Sequence, residues 1–387
     1  MLKYLFITLC SFLMLTGCNS EKSKKNVEKS TKKDLKVIAY VHRLEDNWGK
    51  DFEKVHQITH INYAFANIKD GKVVEGNPSD SITFKKLNNL KNANEQLKIL
   101  ISVGGWGWSG GFSDAVLTSA SRELFANSAV DFMLRHKIDG IDLDWEYPGL
   151  IGNGNVHRPE DKENFTEILK LLRKKLDSLA TENNKYLLTI ATGAFQQYLD
   201  HTDMQEAHKY LDFINIMTYD FYGGGDRVTG HHANLALTAR DTLKPPRSAR
   251  VAVQQHIDAG IPANKIVLGV PFYGKWWKGT MPVNNGLYQP TSGKTGTYYF
   301  KNIADSLAGN TGFQSFWDDE AKAPYIWRQK DSLFMTYETP RSLKLKTAYV
   351  KDNDLGGIMF WQFYGDNGSL LNAIYDNLND NTTTNNN

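Results

Sequence analysis

Acidic and apolar residues alternate along Asp139-Gly140-Ile141-Asp142-Leu143-Asp144-Trp145-Glu146. Successive side chains of an extended strand point to opposite faces, so Asp142, Asp144 and Glu146 share one face and Ile141, Leu143 and Trp145 the other. The apolar set suits packing against helices, which turns the three acids inward. Burying neighbouring carboxyls is costly unless they share protons or bind cations, and a core gains nothing from it. A solvated acidic edge strand fits poorly, because the alternate positions are too apolar. Crowded carboxyls raise one another's pKa, which suits a proton donor as well as a metal ligand. A divalent-metal site is therefore the serious rival, but no nearby His stands at ligand spacing, and no metal or organic cofactor is expected.

Eight short β-branched or aromatic runs alternate with longer helical patterns, as in parallel strand–helix units. The expected strands are Lys36–Val41, Thr59–Ala66, Lys98–Val103, Ile138–Glu146, Tyr186–Thr192, Phe213–Tyr219, Lys265–Pro271 and Gly356–Phe363. Helices are expected over Phe84–Gln96, Arg122–His136, Pro159–Thr181, Ala249–Ala259 and Arg341–Lys351. Eight parallel strands with helical crossovers make a TIM (β/α)8 barrel, whose active sites lie at the C-terminal rim. The fold class is thus α/β, with the catalytic barrel over residues 35–378. The link from strand seven to strand eight is far longer than one helix needs and is rich in Tyr, Trp, Gly and Thr. It reads as an inserted α+β subdomain, residues 275–335.

The 387 residues are 41% apolar, 12% aromatic and 23% charged, which permits a sizeable core and argues against general disorder. Lys plus Arg (45) nearly cancel Asp plus Glu (43), so no overall field favours nucleic acid. Nine Trp and eighteen Tyr point instead to flat ligands. The only cysteines, Cys10 and Cys18, exclude a structural disulfide or cysteine zinc site in the body. Lys3 and the apolar run Tyr4–Leu15 read as a signal peptide, residues 1–17. Leu15-Thr16-Gly17-Cys18 resembles a bacterial lipobox, which makes Cys18 the lipid-attachment residue and residues 18–34 a Lys-rich flexible tether. An incidental cysteine behind an ordinary signal peptide is the alternative. Residues 379–387, almost all Asn and Thr, read as a disordered tail.

Asp-Gly-x-Asp-x-Asp-x-Glu at 139–146 resembles the signature of glycoside hydrolase family 18 chitinases. Further matches fall at strand ends: Ser102-Val103-Gly104-Gly105, Met217-Thr218-Tyr219-Asp220, Gly269-Val270-Pro271-Phe272-Tyr273-Gly274 and Gly357-Ile358-Met359-Phe360-Trp361. Several such motifs in order on one barrel are highly specific. The resemblance implies hydrolysis of β-1,4-linked N-acetylglucosamine, in chitin or chitooligosaccharides, with retention. Glu146 would be the general acid and later the base, with no enzymic nucleophile, because the substrate's own 2-acetamido oxygen attacks C1. Asp144 would orient the acetamido group, Tyr219 would donate to its oxygen, and Asp142 would share a proton with Asp144. Asp220 would bind sugar and steady the acid.

Trp361 is expected to floor the cleavage point, with Trp106, Tyr40, Phe65, Met217 and Tyr273 as further substrate-binding residues. Tyr40 and Phe65 serve equally well as barrel packing. Trp276, Trp277, Trp317 and Trp327 divide evenly between cleft wall and subdomain core, and Ser102 reads as mainly structural. The pair His231-His232 reads as structural or sugar-contacting rather than as metal ligands. Two departures stand out: Phe221-Tyr222-Gly223-Gly224-Gly225 lacks the Trp platform that follows strand six in many relatives, and Lys275 stands where Arg is common. The alternatives are an endo-β-N-acetylglucosaminidase acting on N-glycans and a non-catalytic glycan-binding lipoprotein. The expected location is the bacterial cell envelope, anchored in the outer membrane, as a monomer.

Overall fold

Aliphatic runs such as Lys36–His42 and Ile266–Pro271 are buried along almost their whole length, as strands covered on both faces must be. A computed structural model of the chain describes residues 35–42, 52–182, 184–308 and 311–380. The expected signal peptide, the expected tether with Cys18, and residues 381–387 lie outside these.

The chain order is β1 (Lys36–His42), β2 (His60–Lys69), β3 (Lys72–Val74), β4 (Lys98–Gly104), β5 (Gly140–Asp144), β6 (Leu187–Gly193), β7 (Phe213–Met217) and β8 (Ile266–Pro271). After β9 (Tyr273–Trp277), β10 (Thr295–Tyr299), β11 (Gln314–Asp318), β12 (Ala323–Arg328) and β13 (Leu333–Thr336), β14 (Gly357–Trp361) completes the set. The large sheet runs β1-β14-β8-β7-β6-β5-β4-β2, and β1 pairs with β2 to close it. Every barrel pairing is parallel; only the short β3 is antiparallel, on β2. The fold is thus a TIM barrel, and each of the eight expected runs overlaps one barrel strand.

The fourth barrel strand, β5, is shorter than expected and stops at Asp144, which leaves Glu146 just beyond the rim. Its outward residues Ile141 and Leu143 are fully buried, and Trp145 stacks on Phe112 (5.0 Å, 12°) and meets Phe165 edge-on at 6.0 Å. Phe165 belongs to the helix Asp161–Leu179, whose buried Phe165, Ile168, Leu169, Leu172 and Leu176 follow helical spacing. Inside the barrel, Ile38, Tyr40, Ala64, Phe213, Val267 and Met359 form a separate cluster below the acids.

Helix ends depart from the pattern for local reasons. Helix Ser119–His136 starts before Arg122 because Thr118 and Ser121 form a reciprocal capping box. The first crossover helix is Asp80–Asn89 rather than Phe84–Gln96: Asp80 accepts from Asn77 N (2.9 Å) and Tyr63 OH (2.7 Å), which fixes the start. Asn94 donates to the carbonyls of Val55 and Ile58, both at 3.0 Å, and draws the chain out of helix. A final helix, Ser369–Asn379, was not in the pattern; it buries Leu370, Leu371, Ile374 and Leu378 and runs into the first residue of the expected tail.

Between β8 and β14 the chain builds a second, antiparallel sheet in the order β10-β9-β13-β12-β11, with helix Phe300–Ala308. Phe272 alone separates β8 from β9, so this sheet rises directly from the barrel rim. The loop after β7 is stitched to it by Thr229 N to Gln289 O (3.0 Å) and Thr291 N to Arg227 O (2.9 Å). Asp318 adds contacts to His231 (3.2 Å) and Arg240 (2.7 Å).

Where the sheet returns to the barrel, Glu338 is buried against the Lys346 ammonium and the Ser342 hydroxyl, and Lys346 also donates to Ala233 O at 2.6 Å. Removing one partner of such a pair strands the other charge. Lys346→Met is expected to cost about 3–5 kcal/mol in urea denaturation. Adding Glu338→Leu should recover most of that loss, whereas an unchanged urea midpoint for the single variant would show that the pair holds nothing.

Candidate active site

The three acids of β5 and its end all face inward: Asp142 is 0%, Asp144 4% and Glu146 8% exposed. Their surroundings differ sharply. Asp142 Oδ2 accepts from Tyr40 OH (2.9 Å) and Ser102 Oγ (2.8 Å), and Oδ1 from Thr189 Oγ1 (2.6 Å) and Asn215 Nδ2 (3.4 Å). Burial raises its pKa, and these four donors pull against that rise. No hydroxyl, amide or ammonium donor reaches the buried Oδ1 of Asp144. Burial, the Glu146 carboxyl and then Asp142 hold Asp144 well above the usual carboxyl range. Of the two, Asp142 is therefore better able to carry negative charge and Asp144 better able to keep a shared proton.

Glu146 sits at the cleft floor with its backbone N–H on Ser109 Oγ (2.9 Å). Burial pushes its carboxyl up to about 7; the Tyr147 hydroxyl opposes this and the Asp220 charge adds to it. A carboxylic acid that still holds its proton near neutrality is a proton donor in waiting.

Asp220 follows β7 with φ +60°, a left-handed conformation that Asp tolerates better than most residues. Its Oδ1 accepts from Tyr273 OH (2.7 Å) and Lys275 Nζ (3.1 Å), and faces Nδ1 of the fully buried His232 at 3.5 Å. Its place among the cleft walls would raise its pKa even with the side chain 47% exposed, but His232, Lys275 and Tyr273 outweigh that and bring it down to about 2. Asp220 is thus a fixed anion beside an acid whose proton it helps to retain.

These groups open into one cleft of about 1220 Å³, larger than a pocket for a single small molecule. Its floor is Trp361, stacked on Phe65 (5.5 Å, 19°), with Tyr40 and His42 each 6.0 Å from the Trp361 ring. Trp106, 54% exposed, stands at the rim and meets Tyr147 edge-on at 6.5 Å. Flat rings beside hydroxyl and carboxyl groups suit pyranose faces.

The cleft brings together Asp144, Glu146, Tyr219, Asp220, Trp361, Trp106, Met217, Tyr273, Tyr40 and Phe65, with Asp142 one layer below. Tyr40 both lines the cleft and packs in the inner barrel cluster, and its hydroxyl also serves Asp142, a contact the pattern did not anticipate. Ser102, taken from the pattern as structural, belongs to the acid network. The four Trp of the inserted sheet do not line the cleft: Trp277 and Trp327 are core, Trp317 lies under Arg341 (3.9 Å) and Trp276 stacks on Tyr298 (5.8 Å). That wall is made by Thr297, Tyr298, Tyr299 and Asn302 instead. The pattern also missed Thr189, Asn215, Tyr147, Phe195 and Arg247. Tyr147, next to Glu146 in the motif, was the one with a readable signal.

Among the described residues no group of three or more His, Cys, Asp or Glu could hold a metal ion.

A TIM barrel with a proton-bearing carboxylic acid, a second buried carboxyl and an aromatic floor at its C-terminal rim is a glycosidase. The model of glycosyl hydrolases family 18 matches residues 36–366, and the chain belongs to that family. It is 38% identical over 375 residues to chitinase A1 of Niallia circulans, covering 81% of this chain and 54% of that protein. It is 33% identical to chitinase 1 of Aphanocladium album, covering 82% of this chain and 79% of the relative. Among solved structures, a family 18 N-acetylglucosaminidase from Paenibacillus barengoltzii superposes with a TM-score of 0.82 at 39% identity, over 89% of this chain and all of that one.

Because Glu146 must carry its proton to act as the acid, activity is expected to be full below about pH 7 and to fall as pH rises through that value. Asp220→Asn removes the charge that helps retain the proton, so the alkaline limb of kcat/KM on a soluble chromogenic glycoside should move to lower pH by about one unit. A limb that stays in place would uncouple Asp220 from Glu146.

Proposed function

We propose that the protein is a chitinase that hydrolyses β-1,4-linked N-acetylglucosamine with retention, by substrate-assisted catalysis. The observation that carries this reading is the pairing of a protonated Glu146 with a buried Asp144 that has no donor of its own, in an aromatic cleft. The proton of Glu146 passes to the glycosidic oxygen as the C1–O bond breaks. The 2-acetamido carbonyl oxygen bonds to C1, giving an oxazolinium ion, so the enzyme supplies no nucleophile. Asp144 accepts from the acetamido N–H and balances the positive charge, while Tyr219 donates to the acetamido oxygen and holds it in line. Asp142 exchanges a proton with Asp144 as the latter turns. Water then attacks C1, the acetamido group is released, and the Glu146 carboxylate takes the water's proton. Asp220 and Trp361 hold the sugar.

Glu146→Gln keeps the shape and loses the proton, so turnover should fall by at least about 10³-fold while chitin hexamer still binds. Unaltered turnover would overturn the assignment. A product time course on chitin, chitin hexamer and a biantennary glycoprotein separates the alternatives. Short oligomers from the first two support the chitinase reading, single sugars alone indicate an exo-acting N-acetylglucosaminidase, and cleavage of the glycoprotein alone indicates an endo-β-N-acetylglucosaminidase.

We also infer that Cys18 is acylated and tethers the enzyme to the outer membrane of a bacterial envelope as a monomer. The support is Leu15-Thr16-Gly17-Cys18 behind an apolar run, followed by a polar Lys-rich stretch. No helix among the described residues is long and apolar enough to cross a membrane. Cys18→Ser should shift the protein from the membrane fraction to the soluble fraction and abolish labelling by a fatty-acid analogue. Unchanged fractionation would rule out the anchor.

A further inference from the structure

Along the arm of the cleft beside Phe221, residues 221–225 present no exposed ring to the cleft. Phe221 and Tyr222 are each only 3% exposed, and the Tyr222 hydroxyl is taken by Asp241 at 2.5 Å. Gly223, Gly224 and Gly225 follow with backbone alone. A Cβ on Gly225 would meet nothing within 4 Å, and one on Gly223 only Asp226 Oδ2 at 4.0 Å. At Gly224, by contrast, a Cβ would meet Thr295 Oγ1 at 2.9 Å, so the open space lies at Gly223 and Gly225.

What this arm does present is Arg247, half-buried and lining the cleft with Phe221 and Gly223. Its Nη1 donates weakly to Phe221 O (3.3 Å) and its buried Nε has no partner. Among the described residues no carboxylate lies within 4.0 Å of its guanidinium. The neighbouring acids are engaged elsewhere: Asp226 accepts from Gly223 N (2.7 Å), and Asp241 from Tyr222 and from Leu243 N (2.9 Å). Lys275, the other cation of the cleft, is neutralised by Asp220 at 3.1 Å. Arg247 is therefore a cation without a counter-charge, with most of its five N–H donors unspent.

We propose that Arg247 is a specificity-determining residue: it donates to the acetamido or hydroxyl oxygens of the sugar lying along this arm and excludes a sugar that carries a free amine there. A ring platform grips the C–H face of a pyranose and is indifferent to the substituent at C2. A guanidinium reads that substituent, because an acetamido group offers an acceptor whereas an ammonium offers only donors and a like charge. Two such charges about 4 Å apart repel by enough to change occupancy about fivefold even at the dielectric of bulk water, and by more where the cleft excludes water. The inference rests on the chitinase reading and deepens it: the cleft would prefer acetylated over partly deacetylated chain beyond the sugar whose acetamido group takes part in the reaction.

The test compares wild type, Arg247→Gln and Arg247→Glu on fully acetylated hexasaccharide and on partly deacetylated oligosaccharides of known composition, with products sequenced by mass spectrometry. Arg247→Gln should raise KM for the acetylated hexamer several-fold with a smaller change in kcat. Products with a free amine next to the cut should become at least about fivefold more frequent, and Arg247→Glu should enrich them further. Thermal melting of each variant shows that the fold is kept. If wild type cuts the hexamer and all three proteins share the same KM and product pattern, the role of Arg247 is refuted while the chitinase reading stands. If wild type cuts neither substrate, both fall.

Discussion

Three carboxyls buried on one face of one strand cannot all ionise, and the rest of the site follows from how the barrel divides protons among them. Four donors converge on Asp142 from four different strands: Tyr40 from β1, Ser102 from β4, Thr189 from β6 and Asn215 from β7. β6 and β7 are neighbours, but β4 and β1 lie apart from them and from each other in the strand order, so the arrangement exists only once the sheet has closed. Closure stabilises charge at the deepest carboxyl; the two above it, with fewer donors, are left to keep protons. Catalytic geometry and fold closure are thus one event rather than a site added to a finished scaffold.

Period-two alternation in Asp139–Glu146 was enough to turn the acids inward and Trp145 outward, because a strand leaves no third choice. The eight barrel strands were legible for the same reason. What stayed hidden were contacts set by the closed sheet. Thr189 and Asn215 look like ordinary strand residues until β6 and β7 bring them over Asp142, and nothing near Ser102 in sequence announces a carboxylate partner 40 residues away. The Trp residues of the inserted sheet misdirect for a related reason. Antiparallel pairing sends Trp277 and Trp327 into the sheet's own core, so Tyr298 and Tyr299 form the wall although their spacing resembles that of the tryptophans. Helix ends were off by a few residues wherever a side chain such as Asn94 or Thr118 decided the boundary.

Asp220 joins two parts of the chain that the barrel alone would not connect. Its donors, Tyr273 and Lys275, come from β9 of the inserted sheet, and the buried His232 of the loop after β7 faces it at 3.5 Å. That loop is in turn held to the inserted sheet by Asp318, which the His231 side chain and Arg240 keep down at about 2 despite burial. Adjacent histidines therefore face in opposite structural directions, one securing the loop and the other the anion that bears on Glu146. Lys275 sets a point charge on Asp220 without the two parallel hydrogen bonds a guanidinium could give, and His232 and Tyr273 supply the remaining contacts.

The proton inventory also constrains stability. Burial raises the pKa values of Asp144 and Glu146, so the folded chain holds protons there that the unfolded chain releases. Their contribution is complete below the unfolded carboxyl range and is lost as pH rises, for Glu146 through about 7. Buried His60 and His256 act in the opposite sense. Burial brings them down to about 3 and about 4, so their contribution is complete above the ordinary His value of 6.5 and is lost as pH falls below it. Between the unfolded carboxyl range and 6.5 the two slopes oppose each other, and stability changes least where Glu146 is still protonated. Above about 7 the histidines contribute nothing further, while Glu146 is forced to ionise in a buried site. The pH range in which the acid can work is therefore also the range in which carrying it costs the fold least.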